Sequence, residues 1–358
     1  MNKGGSVKIG LIIPANIKMS PYIQYYISYF KKNGIDYRTL VWDKLGIEKN
    51  DEYSFNYVVN DNNRIKILVG HMLFAQWCKR IIKNEGFDHL VIFTIAPLFF
   101  LGDSVLSRFK GKFIADIRDD SPFRRKFAHR LQKKCGISFS TVVSSPRYES
   151  WFGGKCTICH NADKSVIEKE LIYTPSLLHN DTITIVFAGS LNESEKNIEV
   201  IERLKNNTRV KFVFVGRDNE GKQKVKDYVL QNGIKNVEFQ GEYSKDQIVD
   251  IYRKQADLVN IFRVKCAVNT DALPNKLYDA VIAGIPIIVF EHNKAIAYYA
   301  KKYHLGLVIE DDDEIEESIT NGYYSFSINE YQNGRTEFLD HVLEDFKEFE
   351  LMLKRFIR

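Results

Sequence analysis

Short runs of β-branched and aromatic residues recur along the chain, separated by segments whose apolar positions fall three and four apart. Residues 7–13 read as a buried strand. Residues 21–33 follow as a helix with Ile23, Ile27 and Phe30 on one stripe, ended by Gly34, and residues 37–41 as the next strand. That is a βαβ unit. The alternation continues with helix 66–83, strand 90–93, a helix from Pro97, strand 112–116, a helix from Pro122, strand 140–143 and a last strand near 155–159. Such alternation predicts a parallel sheet covered on both faces, hence an α/β doubly wound domain over residues 1–173. Residues 174–181 (TPSLLHND) hold turn formers without periodicity and read as a linker.

The second half repeats the pattern over residues 182–328. Strand 182–187 leads to Gly189, strand 210–215 to Gly216 and strand 237–239 to Gly241; helices are expected at 195–204 and 245–255 and a strand at 258–262. Ligands bind outside the carboxyl ends of strands in open α/β sheets, where a residue without Cβ admits a ligand to the backbone. Each glycine alone reads as a turn residue, but three in register point to a nucleotide cleft. A helical tail, 329–358, is expected to pack back on the first domain.

The segment 269–290 (NTDALPNKLYDAVIAGIPIIVF) carries the most chemistry. Pro274 suits the first helical position, Gly284 the C-terminal stop, and 285–290 a buried strand. Lys276 then lies in the first turn, where a cation opposes the helix dipole unless an anion shares the site. Asp279, three residues on, shares its face and can accept two ribose hydroxyls; the same spacing also fits an exposed Lys276–Asp279 pair.

Composition narrows the field. The 358 residues are 44% hydrophobic and 27% charged, which excludes disordered, collagen-like and coiled-coil chains. No apolar run approaches the ~18 residues of a membrane span, and residues 1–6 lack a secretory h-region, so a cytoplasmic protein is expected. The net charge of +5 is unevenly spread: residues 1–175 hold 27 Lys/Arg against 16 Asp/Glu, and the remainder is acidic by six. The first half therefore faces an anionic partner.

Proline, lysine, an acid and then Ala-Gly-x-Pro before a strand resembles the donor-nucleotide signature of GT-B glycosyltransferases, particularly the retaining family 4 group. FAGSLNESEKN (187–197), FVGRD (214–218) and FQGEYSKDQIVDIYRKQADL (239–258) are similar to that family's strand-Gly and base-binding loops, so four landmarks stand in the family's order over residues 182–310. The resemblance implies two Rossmann-like domains facing a cleft. It implies donor binding by Gly189, Lys196, Gly216, Arg217, Gly241, Lys276 and Asp279. Asp271 and Asp279 match the family's acids at i and i+8, glutamates there, with Asp271 near the transferred sugar. No metal or other cofactor is implied, since lysines neutralise the diphosphate.

Departures from the family are informative too. Ser190 stands where the family often has arginine, and Pro14-Ala15-Asn16 replaces its first glycine-rich loop. FIADIRDDSP (113–122) is similar to the acceptor-side strand with its Asp-x-His segment, but Arg118 takes the approximate place of that histidine. Asp119 or Asp120 is then the nearest carboxylate able to take an acceptor proton, unless both only form the turn before Pro122.

Two further motifs bear on the reading. Cys156, Cys159 and His160 spell the c-type haem attachment pattern, but on an apolar strand without export signals they read as buried structural residues; Cys135 and His129 complete no zinc spacing. Residues 124–134, from Arg124 to a terminal Lys134, hold six Lys/Arg with Phe127 and Leu131 four apart, an expected basic amphipathic helix. No nucleic-acid-binding module accompanies it. It reads either as a solvated face or as a peripheral contact with the anionic inner face of the plasma membrane. The resemblance implies a glycosyltransferase moving a sugar from a nucleotide diphosphate donor to a growing glycan or lipid-linked acceptor, with retention. A sugar-nucleotide epimerase and a catalytically idle binding subunit on the same fold are the alternatives.

Overall fold

The first unit is organised by β1 (Lys8–Ile13), in which Ile9, Leu11, Ile12 and Ile13 have no solvent exposure. A continuous apolar run of this kind belongs to a strand covered on both faces. The computed structural model describes residues 7–48, 53–59, 63–174, 181–311 and 314–358. Packing divides the chain into one unit of Met1–His160 with Asp345–Arg358 and a second of Asn161–Glu344. The expected linker, 174–181, lies outside the described residues apart from its two ends, and the division falls instead after His160. Helix Lys164–Glu170 thereby joins the second unit, and the last helix, Ile328–Phe356, changes unit after Glu344.

In the first unit β1 pairs in parallel with β2 (Asp36–Asp43) and β4 (His89–Phe93). With β3 (Tyr53–Asn56), β5 (Phe113–Ile117), β6 (Ser140–Val143) and β7 (Thr157–Ile158) the order is β3-β2-β1-β4-β5-β6-β7. The edge strand β3 was not expected; its YSFN is half-exposed and too short to show a period. The helix expected from Pro97 is two, Ile95–Phe100 and Gly102–Arg108. The basic segment is also two short helices, Pro122–Lys126 and Ala128–Cys135, because Phe127 leaves helical geometry at φ −132° and ψ 39°.

The second unit repeats the design. Strands β8 (Ile183–Ala188), β9 (Val210–Val215), β10 (Val237–Gln240), β11 (Leu258–Asn260), β12 (Ile287–Phe290) and β13 (Gly306–Ile309) stand in the order β10-β9-β8-β11-β12-β13, all parallel. Phe187, Phe212, Phe214, Ile288 and Phe290 join Val200, Ile201 and Leu204 of helix Ser194–Leu204 in its core. Helices Glu220–Gln231, Lys294–Lys302 and Ile315–Tyr324 were not expected. The first offers mainly Val225 and Val229 to the core, too few apolar positions to show a stripe. Strand order reverses once in each sheet, at β1/β4 and at β8/β11, and a doubly wound sheet opens its ligand crevice at such a point.

Backbone contact fixes the start of the last helix: a Cβ on Gly334 would lie 1.7 Å from the carbonyl oxygen of Tyr303. Alanine is the better helix former by ~1 kcal/mol, yet overpacking costs roughly 1–3 kcal/mol. Gly334→Ala should therefore lower the denaturant midpoint; a raised midpoint would show that this contact is slack.

Candidate active site

The carboxyl ends of β8, β9 and β10 are bound into one ladder by their loops. Gly189 N–H donates to the carbonyl of Val215 (2.9 Å), and Gly216 N–H to that of Gly241 (3.0 Å). Gly216 has φ +145°, and a Cβ there would stand 2.4 Å from the Gly189 carbonyl oxygen, so no side chain fits. Gly189 (φ +124°) opens onto the Lys276 ammonium, 3.6 Å from where its Cβ would be. Gly189, Ser190, Gly216, Arg217, Glu242, Tyr243, Lys245 and Asp279 line a cavity of about 270 Å³; Gly241 lines its neighbour, which shares Glu242 and Tyr243.

Lys276 and Asp279 come from helix Asn275–Ala283. Pro274 is its extended N-cap, one position before the place expected, and Gly284 closes it in the left-handed region at φ +79°. The Lys276 ammonium lies 4.2 Å from the Phe187 ring centroid. Neither Lys276 nor Asp279 makes a hydrogen bond or ion pair among the described residues. Burial pulls Lys276 down to about 8, aided by the Arg263 charge and opposed by Asp279 and Glu193. Burial pushes Asp279 up to about 6, against the pull of Lys245 and Lys276. The Tyr243 hydroxyl is raised to about 12 by burial and then by the Asp279 charge. Lys276 and Asp279 thus stand beside the glycine loops as an amine and a carboxylate without ion-pair partners, and perturbed charges of this kind cluster at functional sites.

Two buried ties hold this edge. Lys222 donates to the carbonyls of Gly216 and Gln240 (2.6 Å each), fastening the loops after β9 and β10. Glu193 accepts from Val264 N–H (2.6 Å) and the Asn269 amide (2.8 Å) and pairs with Arg263 (3.3 Å), fastening the loop after β8 to the loop after β11. Arg263 brings a second cation towards Lys276 at the β8/β11 switch point. It escaped the sequence reading, which ran β11 on to residue 262; counting residues from the strand end, as was done for the glycines, would have found it.

Other expected site residues stand elsewhere. Lys196, in the first turn of Ser194–Leu204, holds Glu199 (2.9 and 3.0 Å) above the Phe290 ring (3.9 Å) and lines a different cavity with Lys265, His292 and Asp311. Asp271 ends the short helix Ala267–Asp271 and, like Lys276, is not among the residues lining the Asp279 cavity, though Lys276 borders it through Gly189.

In the first unit, Arg118 is buried. Its guanidinium grips both carboxylate oxygens of Asp116 and donates to the Cys159 carbonyl (2.7 Å), while Tyr26 donates its hydroxyl to Asp116 (2.6 Å). The side chain expected near the acceptor is a strut between β5 and the chain after β7. Asp120 is also committed, accepting from Ser121 N–H and pairing with Arg124 and Arg125; Ser121 is the helix N-cap, and Asp119 is exposed. In the basic segment Leu131 is fully buried and Lys134 is buried against Asp103, while Phe127 is exposed, so half of the expected apolar anchor faces solvent. Cys156 and Cys159 are buried thiols raised to about 12 and about 11 by desolvation, and buried His160 meets Asp345 at 2.8 Å, an arrangement that leaves haem no access. Thr94, at the β1/β4 switch point, has φ +66° and ψ 170°, a strained conformation for a β-branched residue that sequence cannot announce. No group of three His, Cys, Asp or Glu able to hold a metal occurs among the described residues.

Residues 169–321 match the family model for glycosyl transferases group 1. Comparison with curated proteins found no match. Among solved structures, sucrose-phosphate synthase from Thermosynechococcus elongatus superposes with TM-score 0.67 at 11% identity, over 98% of this chain and 99% of that one. The apo form of the lipopolysaccharide outer core galactosyltransferase WaaB gives 0.63 at 16% identity, over 98% and 99%. UDP-N-acetylglucosamine 2-epimerase from Rickettsia bellii gives 0.63 at 10%, over 98% and 97%. At these identities the likeness is one of fold, the two-domain GT-B architecture.

The unpartnered pair has a cost that stability measurements can read. Asp279 has its folded pKa raised from 3.8 to about 6, so its contribution is most favourable below pH 4 and is lost as pH rises through 6. Asp279→Asn should stabilise the ligand-free protein at pH 8, by about 1–2 kcal/mol once partial exposure is allowed for, and much less at pH 4. Lys276 has its folded pKa lowered from 10.5 to about 8, so its penalty is full below pH 8 and vanishes as pH rises through the normal lysine range. Lys276→Met should accordingly raise the melting temperature at pH 7; unchanged or lowered melting in both variants would mean that the pair is structurally satisfied.

Proposed function

We propose that the chain is a GT-B glycosyltransferase, as the match of residues 169–321 to the group 1 family model supports, and that its second unit binds a nucleoside diphosphate sugar. The sugar is transferred, with retention, to a growing glycan or lipid-linked acceptor. The observation that carries this is the unpartnered Lys276 and Asp279 beside the glycine ladder. A diphosphate at the N-terminus of helix Asn275–Ala283 would meet Lys276, the Arg263 charge and the helix dipole together. Asp279, ionised above pH 6, would accept the two ribose hydroxyls, and the loop of Gly241, Glu242 and Tyr243 would face the base.

Catalysis would follow from orientation and from stabilising the departing diphosphate, whose charge grows as the glycosidic bond breaks. Protein cations supply that stabilisation in this reading, without a metal or organic cofactor. Lys196 would join only by releasing Glu199. Asp271 is proposed to act near the transferred sugar. On the first unit, Asp119 and Asp120 are the acceptor-side candidates, and Asp120 would act only by releasing Arg124. The epimerase likeness in fold keeps donor turnover without an acceptor as a second reading, which product analysis separates from transfer and from an idle binding subunit.

Calorimetry with a panel of nucleoside diphosphates should show binding that Lys276→Ala weakens by about 1.5–3 kcal/mol, the range for a hydrogen bond to a charged group. Asp279→Ala should lose affinity for nucleotides and keep it for pyrophosphate. Equal losses for both ligands would remove Asp279 from the ribose. Unchanged nucleotide affinity in Lys276→Ala would end the diphosphate assignment.

A further inference from the structure

Helix Arg64–Glu85 buries Gly70, Phe74, Ala75, Cys78 and Ile82 against the first unit. Its opposite face is also apolar: Ile65 is 74% exposed, and Leu68, Val69, Met72 and Leu73 are exposed beside it at spacings of three and four. A water-facing helix surface normally carries polar residues, and an aliphatic stripe of this size marks a docking surface. The buried face is covered by the Trp42 ring, 2.2 Å from where a Cβ on Gly70 would be, and the indole N–H donates to the Tyr57 carbonyl (2.9 Å). Val58 follows Tyr57 and is exposed, as are Leu45 and Ile47 of the loop joined to it by Val59 N–H donating to the Lys44 carbonyl (3.0 Å).

Charge identifies the occupant. From Arg64 to Asn84 the helix carries Arg64, Lys66, Lys79, Arg80 and Lys83 and no acid. Arg80 and Lys83 continue the exposed face beyond Met72, so the stripe has a basic end. Glu85, the first acid, is taken by Lys8 and by the Tyr53 hydroxyl. A second copy of the chain is a poor match, because a two-fold pairing of antiparallel helices would set Arg64 of one copy near Arg80 of the other. An anionic bilayer suits both features: the aliphatic stripe enters the headgroup boundary while the basic residues meet lipid phosphates. No helix among the described residues is long and apolar enough to cross a membrane, so such attachment is peripheral.

We propose that the exposed face of helix Arg64–Glu85 is the surface by which the protein lies on an anionic lipid bilayer. It competes with the basic segment 124–134 for that role and stands independently of the donor site.

The test is co-sedimentation of the full chain with vesicles of equimolar phosphatidylcholine and phosphatidylglycerol, and with phosphatidylcholine alone. The wild type should partition strongly to the first and weakly to the second. Ile65→Ser/Val69→Ser/Met72→Ser should lose at least tenfold, and Lys79→Gln/Arg80→Gln/Lys83→Gln about fivefold per charge removed at low salt. Nucleotide affinity and melting temperature, followed in parallel, should stay near wild type, which separates failure of this surface from failure of the donor assignment or of folding. A Leu68→Trp reporter should be quenched by spin-labelled lipid. The proposal is overturned by absent vesicle binding, by equal binding to neutral vesicles, or by a larger loss from Arg124→Gln/Arg125→Gln/Lys133→Gln than from the helix variants. It is equally overturned by a lipid-free dimer that the serine variants abolish.

Discussion

The approach of the Gly216 backbone to the Gly189 carbonyl, closer than any Cβ would allow, is the constraint on which the candidate donor cleft depends. With the loops after β8 and β9 packed backbone to backbone, Gly189 and Gly216 line the cavity without side chains, and its polar groups come from Ser190, Arg217, Glu242, Tyr243, Lys245 and Asp279. Lys222 and Glu193 preserve that arrangement from two sides. Lys222 is held by two backbone carbonyls and Asp218, and Glu193 by Val264 N–H, the Asn269 amide and Arg263, so neither forms an ion pair with Lys276 or Asp279. The rigidity of the ties and the lack of ion-pair partners for Lys276 and Asp279 therefore go together: charges are left unpaired where the surrounding frame is fixed.

The first unit handles its charges in the opposite way. Arg118, which by position belongs at a ligand crevice, is held by Asp116 and the Cys159 carbonyl, and Asp116 is held in turn by the Tyr26 hydroxyl; removing one partner of such a buried pair costs more than the pair adds to stability. The strain is kept instead in the backbone at Thr94, at the switch point of the same sheet. The two units thus treat their charges differently: the first pairs Arg118 within its frame, and the second leaves Lys276 and Asp279 without ion-pair partners beside the glycine ladder.

Much of this was legible in the sequence because it rests on local rules. Gly189, Gly216 and Gly284 occupy left-handed or crowded positions that only glycine fills easily, and Lys276 opposes a helix dipole in any fold that makes 275–283 helical. What escaped depends on side-chain choices between competing partners. Lys196 is placed by the family pattern beside the diphosphate, yet an i,i+3 carboxylate at Glu199 holds it over Phe290. The basic segment has an amphipathic period through Phe127, but Leu131 is drawn into the core and the helix breaks to allow it. Helix Arg64–Glu85 was expected, though its two apolar stripes made periodicity silent about which one is buried. Trp42 against Gly70 decides that, a contact between residues 28 positions apart.

The uneven charge of the chain acquires a location through the same contacts. Within the first unit Asp116 is spent on Arg118, Asp120 on Arg124, Asp103 on Lys134 and Glu85 on Lys8, each an acid consumed close to the body of the unit. These pairs leave the surplus itself unchanged, and exposed basic residues stand in several places on the unit, among them Lys31, Lys32, Lys110, Lys112 and Lys133. Arg64, Lys79, Arg80 and Lys83 differ in their neighbours: they have no acidic partner among the described residues and share one helix with exposed Ile65, Val69 and Met72. Charge placed only for solubility gains nothing from an aliphatic stripe beside it, whereas the two together fit a surface that is apolar inside and negatively charged at its boundary.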